Sequence, residues 1–217
     1  MGHGSGSFGH VAARRSGIAA GIRSAGQLPG VSLTQQRAAD LHRLVVTALA
    51  EAGALPFSIA PSSCIVTAAG RPAAFADEPL LLALDRGLLP VLYGDVVMDR
   101  ERGVSICSTE QVFETLAGRL PERGWTIRRA LWLGETDGLW DEAGRTVPRV
   151  SAGDFAAAAR AIGAAAGTDV TGGMRHRVET ALALARLGVP SLLLNGLTPG
   201  LLEKALRGEE VPGTEVL

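Results

Sequence analysis

Apolar positions along the chain fall into two rhythms. Over residues 34–51, Leu41, Leu44, Val45, Ala48 and Leu49 recur at helical spacing and Gly53 follows as a stop, which predicts an amphipathic helix. Further helices are predicted over residues 79–86, closed by Gly87, and over residues 108–120, with Ser108 or Thr109 as cap. Three more follow: the alanine-rich residues 154–166, residues 174–187 stopped by Gly188, and residues 201–207.

Between them lie short apolar or β-branched runs at residues 56–60, 64–68, 88–93, 127–133 and 189–194, and residues 213–217 predict a closing edge strand. Residues 141–144 read as a hairpin or loop, and residues 168–173 as a loop. The nearly unbroken apolar run at 189–194 is the pattern of a strand covered on both faces. Strands alternating with helices predict an α/β class, a three-layer α/β/α sandwich with a mainly parallel sheet.

Composition narrows this picture. A chain of 217 residues with 47% hydrophobic residues is long enough for one domain with a real core, and one domain over residues 1–217 is expected. Basic and acidic residues nearly balance, 21 against 22, so no basic field exists to hold a polyanion and nucleic acid is not an expected partner. Two isolated cysteines, Cys64 and Cys107, indicate neither a disulfide framework nor a zinc site, and no metal-ligand residues are assigned. No run approaches the roughly 18 apolar residues of a membrane span, and a cytoplasmic protein without membrane insertion is expected.

Four segments can carry chemistry. The opening GHGSGSFGH supplies Gly4, Gly6 and Gly9, whose backbone N–H groups can approach an anion closely, with Ser5, Ser7 and His10 as further donors. No strand or helix is predicted before it. Its composition also suits a flexible Gly/Ser-rich terminus, against which stands Phe8-Gly9-His10 running straight into Val11-Ala12. In VLYGDVV an apolar strand ends in Gly94 and Asp95, either a ligand-facing strand end or an ordinary turn. In DVTGGMRHR two glycines open a helix whose first turn carries Arg175 and Arg177, a fit for a polyphosphate or else a solvated helix entry. TDGLWD places Asp137 and Asp141 after a strand, where a ribose or a magnesium-bound phosphate could be met. His42 and His176 are weak candidates, each a lone histidine on a helix.

Taken in order, GHGSGSFGH, LPVLYGDVVMD, TDGLWD, DVTGGMRHRVETALALARLGV and GTEVL resemble the amino-acid kinase superfamily, most closely the isopentenyl phosphate kinases. The resemblance implies transfer of the ATP γ-phosphoryl group to isopentenyl phosphate with Mg2+, in a homodimer. It places Gly4, Ser5, Gly9, His10 and Thr109 on the acceptor, with His10 as the catalytic group, and Gly6, Asp137, Gly173 and Arg177 on the nucleotide. Apolar residues of the early helices, Ile18, Ile22, Leu41 and Val45, are candidates to receive the prenyl chain.

The family opens with a strand bearing Lys and a Gly-Gly-Ser loop, and this sequence starts after that Lys-x-Gly-Gly-Ser segment; a late-assigned start codon is the favoured explanation. A fosfomycin-type kinase or a noncatalytic nucleotide-binding module of the same fold are the alternatives.

Overall fold

The computed structural model describes residues 1–141, 143–151 and 172–217. The helix expected over residues 154–166 and most of the loop expected over residues 168–173 lie outside them. Two compact units are present, Met1–Thr115 and Leu116–Leu217.

In the first unit β1 (Gly2–His3) runs parallel to β5 (Leu89–Tyr93), which also pairs in parallel with β2 (Pro56–Ser58). The opening glycines are therefore not all loop. Met1 and the next two residues extend the sheet, with Leu92 N–H donating to Met1 O and Gly94 N–H to His3 O. Two residues are too few for a period-2 pattern, so only the partner strand reveals β1.

Helix α1 (Gly6–Ser16) follows and ends at Gly17 in the left-handed conformation. Helix α2 (Leu28–Glu51) starts six residues before the expected residue 34. Pro29 stands in its first turn, where the missing N–H is not needed. Gly30 has no side chain where Ser16 of α1 packs, so a Pro-Gly pair that reads as a breaker is instead the close contact between two helices.

A second sheet contains β3 (Ile65–Ala68), β4 (Arg71–Phe75), β6 (Asp95–Asp99) and β7 (Gly103–Cys107), in the order β4-β3-β6-β7. The sequence reading stops the strand at Gly94-Asp95 and misses β4 and the β6–β7 hairpin. Asp99 fastens that hairpin by accepting the N–H groups of Gly70, Glu101 and Arg102 at 2.7, 2.9 and 2.8 Å. The short helices α3 (Pro61–Cys64) and α4 (Glu78–Asp85) complete the unit. Ala13 and Ile18 pack with Val96 and Val104, so α1 and its exit rest on β6 and β7.

Helix α5 (Thr109–Glu122) opens on a capping box: Ser108 N–H donates to Gln111 Oε1, and Gln111 N–H donates to Ser108 Oγ. Ser108, not Thr109, is the cap.

The second unit holds β8 (Ala130–Gly134), β9 (Arg149–Val150), β10 (Ser191–Asn195) and β11 (Thr214–Val216), in the order β8-β10-β11-β9. β8 and β10 are parallel, and Leu192 and Leu194 pack against Leu201 and Ala205 of α7 (Leu201–Arg207), while α6 (Gly172–Arg186) also packs on β10 and β11. Residues 191–194 are buried throughout, as a strand covered on both faces requires.

The closing segment is not an edge strand. β11 inserts between β10 and β9 with Thr214 and Val216 fully buried, because its antiparallel register fills a place that sequence order cannot disclose. Residues 143 and 144 lie in the expected turn, closed by Arg145 O accepting from Asp141 N–H, beside a Trp140–Thr146 bridge. The class is α/β, as expected.

Candidate active site

The end of β1 is clamped from two sides. His3 O accepts the Gly94 N–H at 2.9 Å and the Thr109 hydroxyl at 2.6 Å. Gly6 then takes φ +53°, and a side chain there would meet Leu41, so the chain can enter α1 at this point only as glycine. Ser5 stands at the N-cap yet makes no capping hydrogen bond. The first-turn N–H groups of α1 have no intrahelical acceptor, so they and the Ser5 hydroxyl are left for another partner, at the positive end of the helix dipole. Gly9 lies one turn in, directly over Ser5: a Cβ at residue 9 would fall 2.6 Å from Ser5 Oγ and 2.7 Å from Ser5 Cβ.

A cavity of about 330 Å³ opens beside this cradle. Ser5, Gly9, His10, Arg14, Gly94 and Asp95 form its polar part, and Ala13, Ala19, Ala38, Val96 and Ile106 form apolar wall. His10 and Arg14 are one helical turn apart on the same face. Helical side chains lean toward the N-terminus, so Arg14 reaches back over the His10 turn. Neither side chain has a hydrogen-bond or ion-pair partner among the described residues.

The carboxyl of Asp95 is buried, which raises its pKa, and accepts from Ser62 N–H at 3.1 Å and Val96 N–H at 2.8 Å as well as from Tyr93. Burial beside it pushes the Cys64 thiol up to about 11 and that of Cys107 to about 12, so both stay protonated and unreactive at neutral pH.

Under the cradle three rings stack. His42 lies 4.2 Å from Tyr93, and His3 lies 5.3 Å from His42 and 5.8 Å from Tyr93 between ring centroids. Burial lowers the pKa of both histidines; that of His42, with His3 adding to the effect, falls to about 4. Both rings are neutral at pH 7.

In the second unit the C-terminal end of β8 leads into Glu135-Thr136-Asp137-Gly138. Arg177 lies on this strand end, with its Nη1 only 3.1 Å from where a Gly134 side chain would begin. Thr136, Gly138, Met174 and Arg177 line one crevice, and Asp137 stands exposed between two of its residues. Gly138 has φ +108° and no room for a side chain beside Thr214, whose hydroxyl accepts the Leu139 N–H. Gly173 is in the first turn of α6, one turn before Arg177. The arrangement offers helix N–H groups, a guanidinium and a carboxylate at the end of a parallel strand, where α/β sheets bind their ligands.

The structure thus brings Ser5, Gly9 and His10 into one cavity with Gly4 and Gly6 beside them in the chain, and sets Arg177 at the end of β8, where Asp137 follows in the chain, with Gly173 one turn before Arg177 on α6. Thr109 is placed differently: its hydroxyl is committed to His3 O, so it holds the cradle and does not line the cavity. The proposed prenyl contacts also shift. Ile18 is fully buried in the core with Ile22 against it, and neither these nor Leu41 and Val45 line the cavity, whose apolar wall is built mostly of alanines. Sequence reasoning missed Arg14, although the His10-to-Arg14 spacing of four was visible, and it missed Ala38 and Ile106, which only the tertiary packing brings to the site.

The amino acid kinase family model matches residues 2–195. An isopentenyl phosphate kinase of Methanothermobacter thermautotrophicus is 35% identical over 99% of this chain and 82% of its own length. That of Haloferax volcanii is 33% identical over 86% of this chain and 70% of its own length. A solved isopentenyl phosphate kinase structure superposes with a TM-score of 0.81 at 29% identity, covering 100% of this chain and 82% of that one. With the family model matched over residues 2–195 and a relative 35% identical over 99% of this sequence, the chain belongs to the amino acid kinase family and, within it, to the isopentenyl phosphate kinases.

Proposed function

We propose that this protein transfers the γ-phosphoryl group of ATP to isopentenyl phosphate, giving isopentenyl diphosphate for isoprenoid biosynthesis. The observation that carries the reading is the two-sided cavity of the first unit: uncapped helix amides with Ser5, His10 and Arg14 on one part, and a wall of Ala13, Ala19, Ala38, Val96 and Ile106 on the other. An acceptor with an anionic head and a short branched hydrocarbon tail satisfies both parts. A small polar phosphonate such as fosfomycin leaves the apolar wall without a partner.

The acceptor phosphate is already an anionic nucleophile at neutral pH, so no general base is needed. An acceptor oxygen bonds to Pγ as the bond from Pγ to the ADP oxygen breaks, and catalysis is positioning plus neutralisation of charge. Gly4, Ser5, Gly6 and Gly9 shape the cradle, and His10 donates to the acceptor phosphate. In the second unit the first turn of α6 with Gly173, together with Arg177, holds the polyphosphate, and Asp137 meets the ribose or the metal-bound phosphates. Mg2+ accompanying ATP would supply neutralisation of the β- and γ-oxygens. It would take most of its ligands from phosphate and water.

Both units form one kinase domain in this reading, and the protein works as a cytoplasmic homodimer. Free thiols at Cys64 and Cys107 accord with a reducing compartment, and Leu33 and Leu44 of α2 leave apolar surface for a second copy. No helix among the described residues is long and apolar enough to cross a membrane.

The test is ADP release with isopentenyl phosphate, dimethylallyl phosphate and fosfomycin as acceptors. Turnover of the prenyl phosphates is expected; turnover of fosfomycin alone, or ATP binding with no turnover of any acceptor, would overturn the proposal. Light scattering reads the oligomeric state.

A further inference from the structure

A hydrogen-bonded chain of four groups runs beneath the acceptor cradle. His3 Nδ1 lies 2.8 Å from Gly4 O, His3 Nε2 lies 3.0 Å from His42 Nδ1, and His42 Nε2 lies 2.7 Å from Ser58 Oγ. Its direction follows from the acceptor at one end. A carbonyl only accepts, so His3 carries its proton on Nδ1; a neutral His3 then offers a lone pair at Nε2, and His42 must donate from Nδ1. His42 Nε2 is left as an acceptor for the Ser58 hydroxyl. Every group is satisfied with both rings uncharged. Running the chain the other way needs a charged His3, which its burial opposes.

We propose that His3 and His42 are positioning residues for the acceptor loop, fixing the Gly4–Ser5 peptide so that the Ser5 N–H is aimed away from His3 and into the phosphate cradle. A trans peptide points its C=O and N–H in opposite directions, so anchoring Gly4 O sets the direction of Ser5 N–H. Ser5 N–H has no acceptor among the described residues, and Ser5 N lies close enough to Gly94 that a side chain there would start 3.4 Å away.

The stack on Tyr93 keeps both ring planes from turning, and Tyr93 is itself hydrogen-bonded to the buried Asp95. Ser58 of β2 and Tyr93 of β5 are thus the polar residues that reach the dyad, with Asp95 of β6 bonded to Tyr93. The proposal rests on the reading of this cavity as the acceptor site, but its test does not need turnover.

On the full chain at pH 7, imidazole 15N shifts are expected to give both histidines as neutral Nδ1–H tautomers; an Nε2–H tautomer at either ring, or a charged His3, overturns the proposal. Inorganic phosphate titrated against the Ser5 and Gly6 amide signals should shift them in the wild type, and the absence of any shift also overturns it.

His42→Leu fills the space but lacks the donor and should weaken phosphate about tenfold, whereas His42→Asn, whose amide can replace Nδ1–H, should stay within about threefold. Equal losses in the two variants, or none in His42→Leu, count against the dyad. Should His42→Leu fail to fold, Ser58→Ala at the exposed end of the chain should leave His42 as the Nδ1–H tautomer, because Gly4 O sets the direction through His3, and an Nε2–H tautomer of His42 in that variant counts against it. With isopentenyl phosphate the loss should fall on the acceptor KM and leave kcat and the ATP KM within about twofold. Phosphate binding at Ser5 without turnover of any prenyl phosphate would refute the kinase reading alone.

Discussion

Gly9→Ala should separate function from stability at the acceptor cradle. The new Cβ would stand 2.6 Å from Ser5 Oγ and 2.7 Å from Ser5 Cβ, and 3.7 Å from Ala38 Cβ. Carbon contacts are best at about 3.5–4.0 Å, so Ser5 must move by roughly 1 Å. It has little room to do so, because Ser5 is buried and the chain two residues earlier is clamped through His3 O to Gly94 and Thr109.

Overpacking of this kind costs about 1–3 kcal/mol, and the better helix propensity of alanine returns about 1 kcal/mol, leaving a net loss of about 0–2 kcal/mol. For a chain of this size that lowers Tm by no more than about 8 °C. Displacing Ser5 and its amide, by contrast, removes contacts to an anionic acceptor and should raise the acceptor KM at least about tenfold.

Thermal melting beside steady-state kinetics with both substrates is the assay, and Gly118→Ala is the control. Gly118 lies in α5 with nothing within 4 Å of a new Cβ, and should gain about 0.5–1 kcal/mol with unchanged kinetics. A Gly9→Ala enzyme with wild-type acceptor KM would refute the placing of Ser5 at the phosphate.

Arg14→Gln should raise the acceptor KM about tenfold with the ATP KM unchanged, since it deletes the one guanidinium among the residues lining the first-unit cavity. Arg177→Ala should act on the ATP KM by a similar factor, and Arg177→Lys should recover part of it, because lysine keeps the charge but not the fork; isothermal titration with ATP reads both. Stability should fall as pH drops from about 6.5 toward 4. The unfolded chain takes up a proton on His42 at its ordinary value while the folded chain resists until about 4, a loss of at most about 3 kcal/mol before solvent screening. Denaturant unfolding of the wild type against His42→Asn checks this, and parallel pH dependences for the two would refute it.

Much of the fold was legible as periodicity. Residues 201–207 are a helix with the expected bounds, and the strands at 88–93 and 189–194 hold because a buried parallel strand writes itself as an unbroken apolar run. What failed to show in the sequence has a common cause. β1 is two residues long, and β4, β6 and β7 sit among charged and glycine-rich segments, so each exists only because a partner strand supplies its hydrogen bonds. The position of β11 inside its sheet is likewise a matter of neighbours, not of composition.

The site divides along the same line. What the sequence alone could nominate was the polar groups: glycines 4, 6 and 9, Ser5, His10, Asp137 and Arg177 are read from residue type and from spacing along one helix or one turn. Tertiary structure decided what faces them. The wall that brings Ala13 of α1 and Ala38 of α2 to one cavity, the commitment of Thr109 to His3 O across 106 positions and the His3–His42–Ser58 chain, with links of 39 and 16 positions, each join residues from different elements. Such contacts arise from packing of whole elements, and a pattern read along the chain has no term for them.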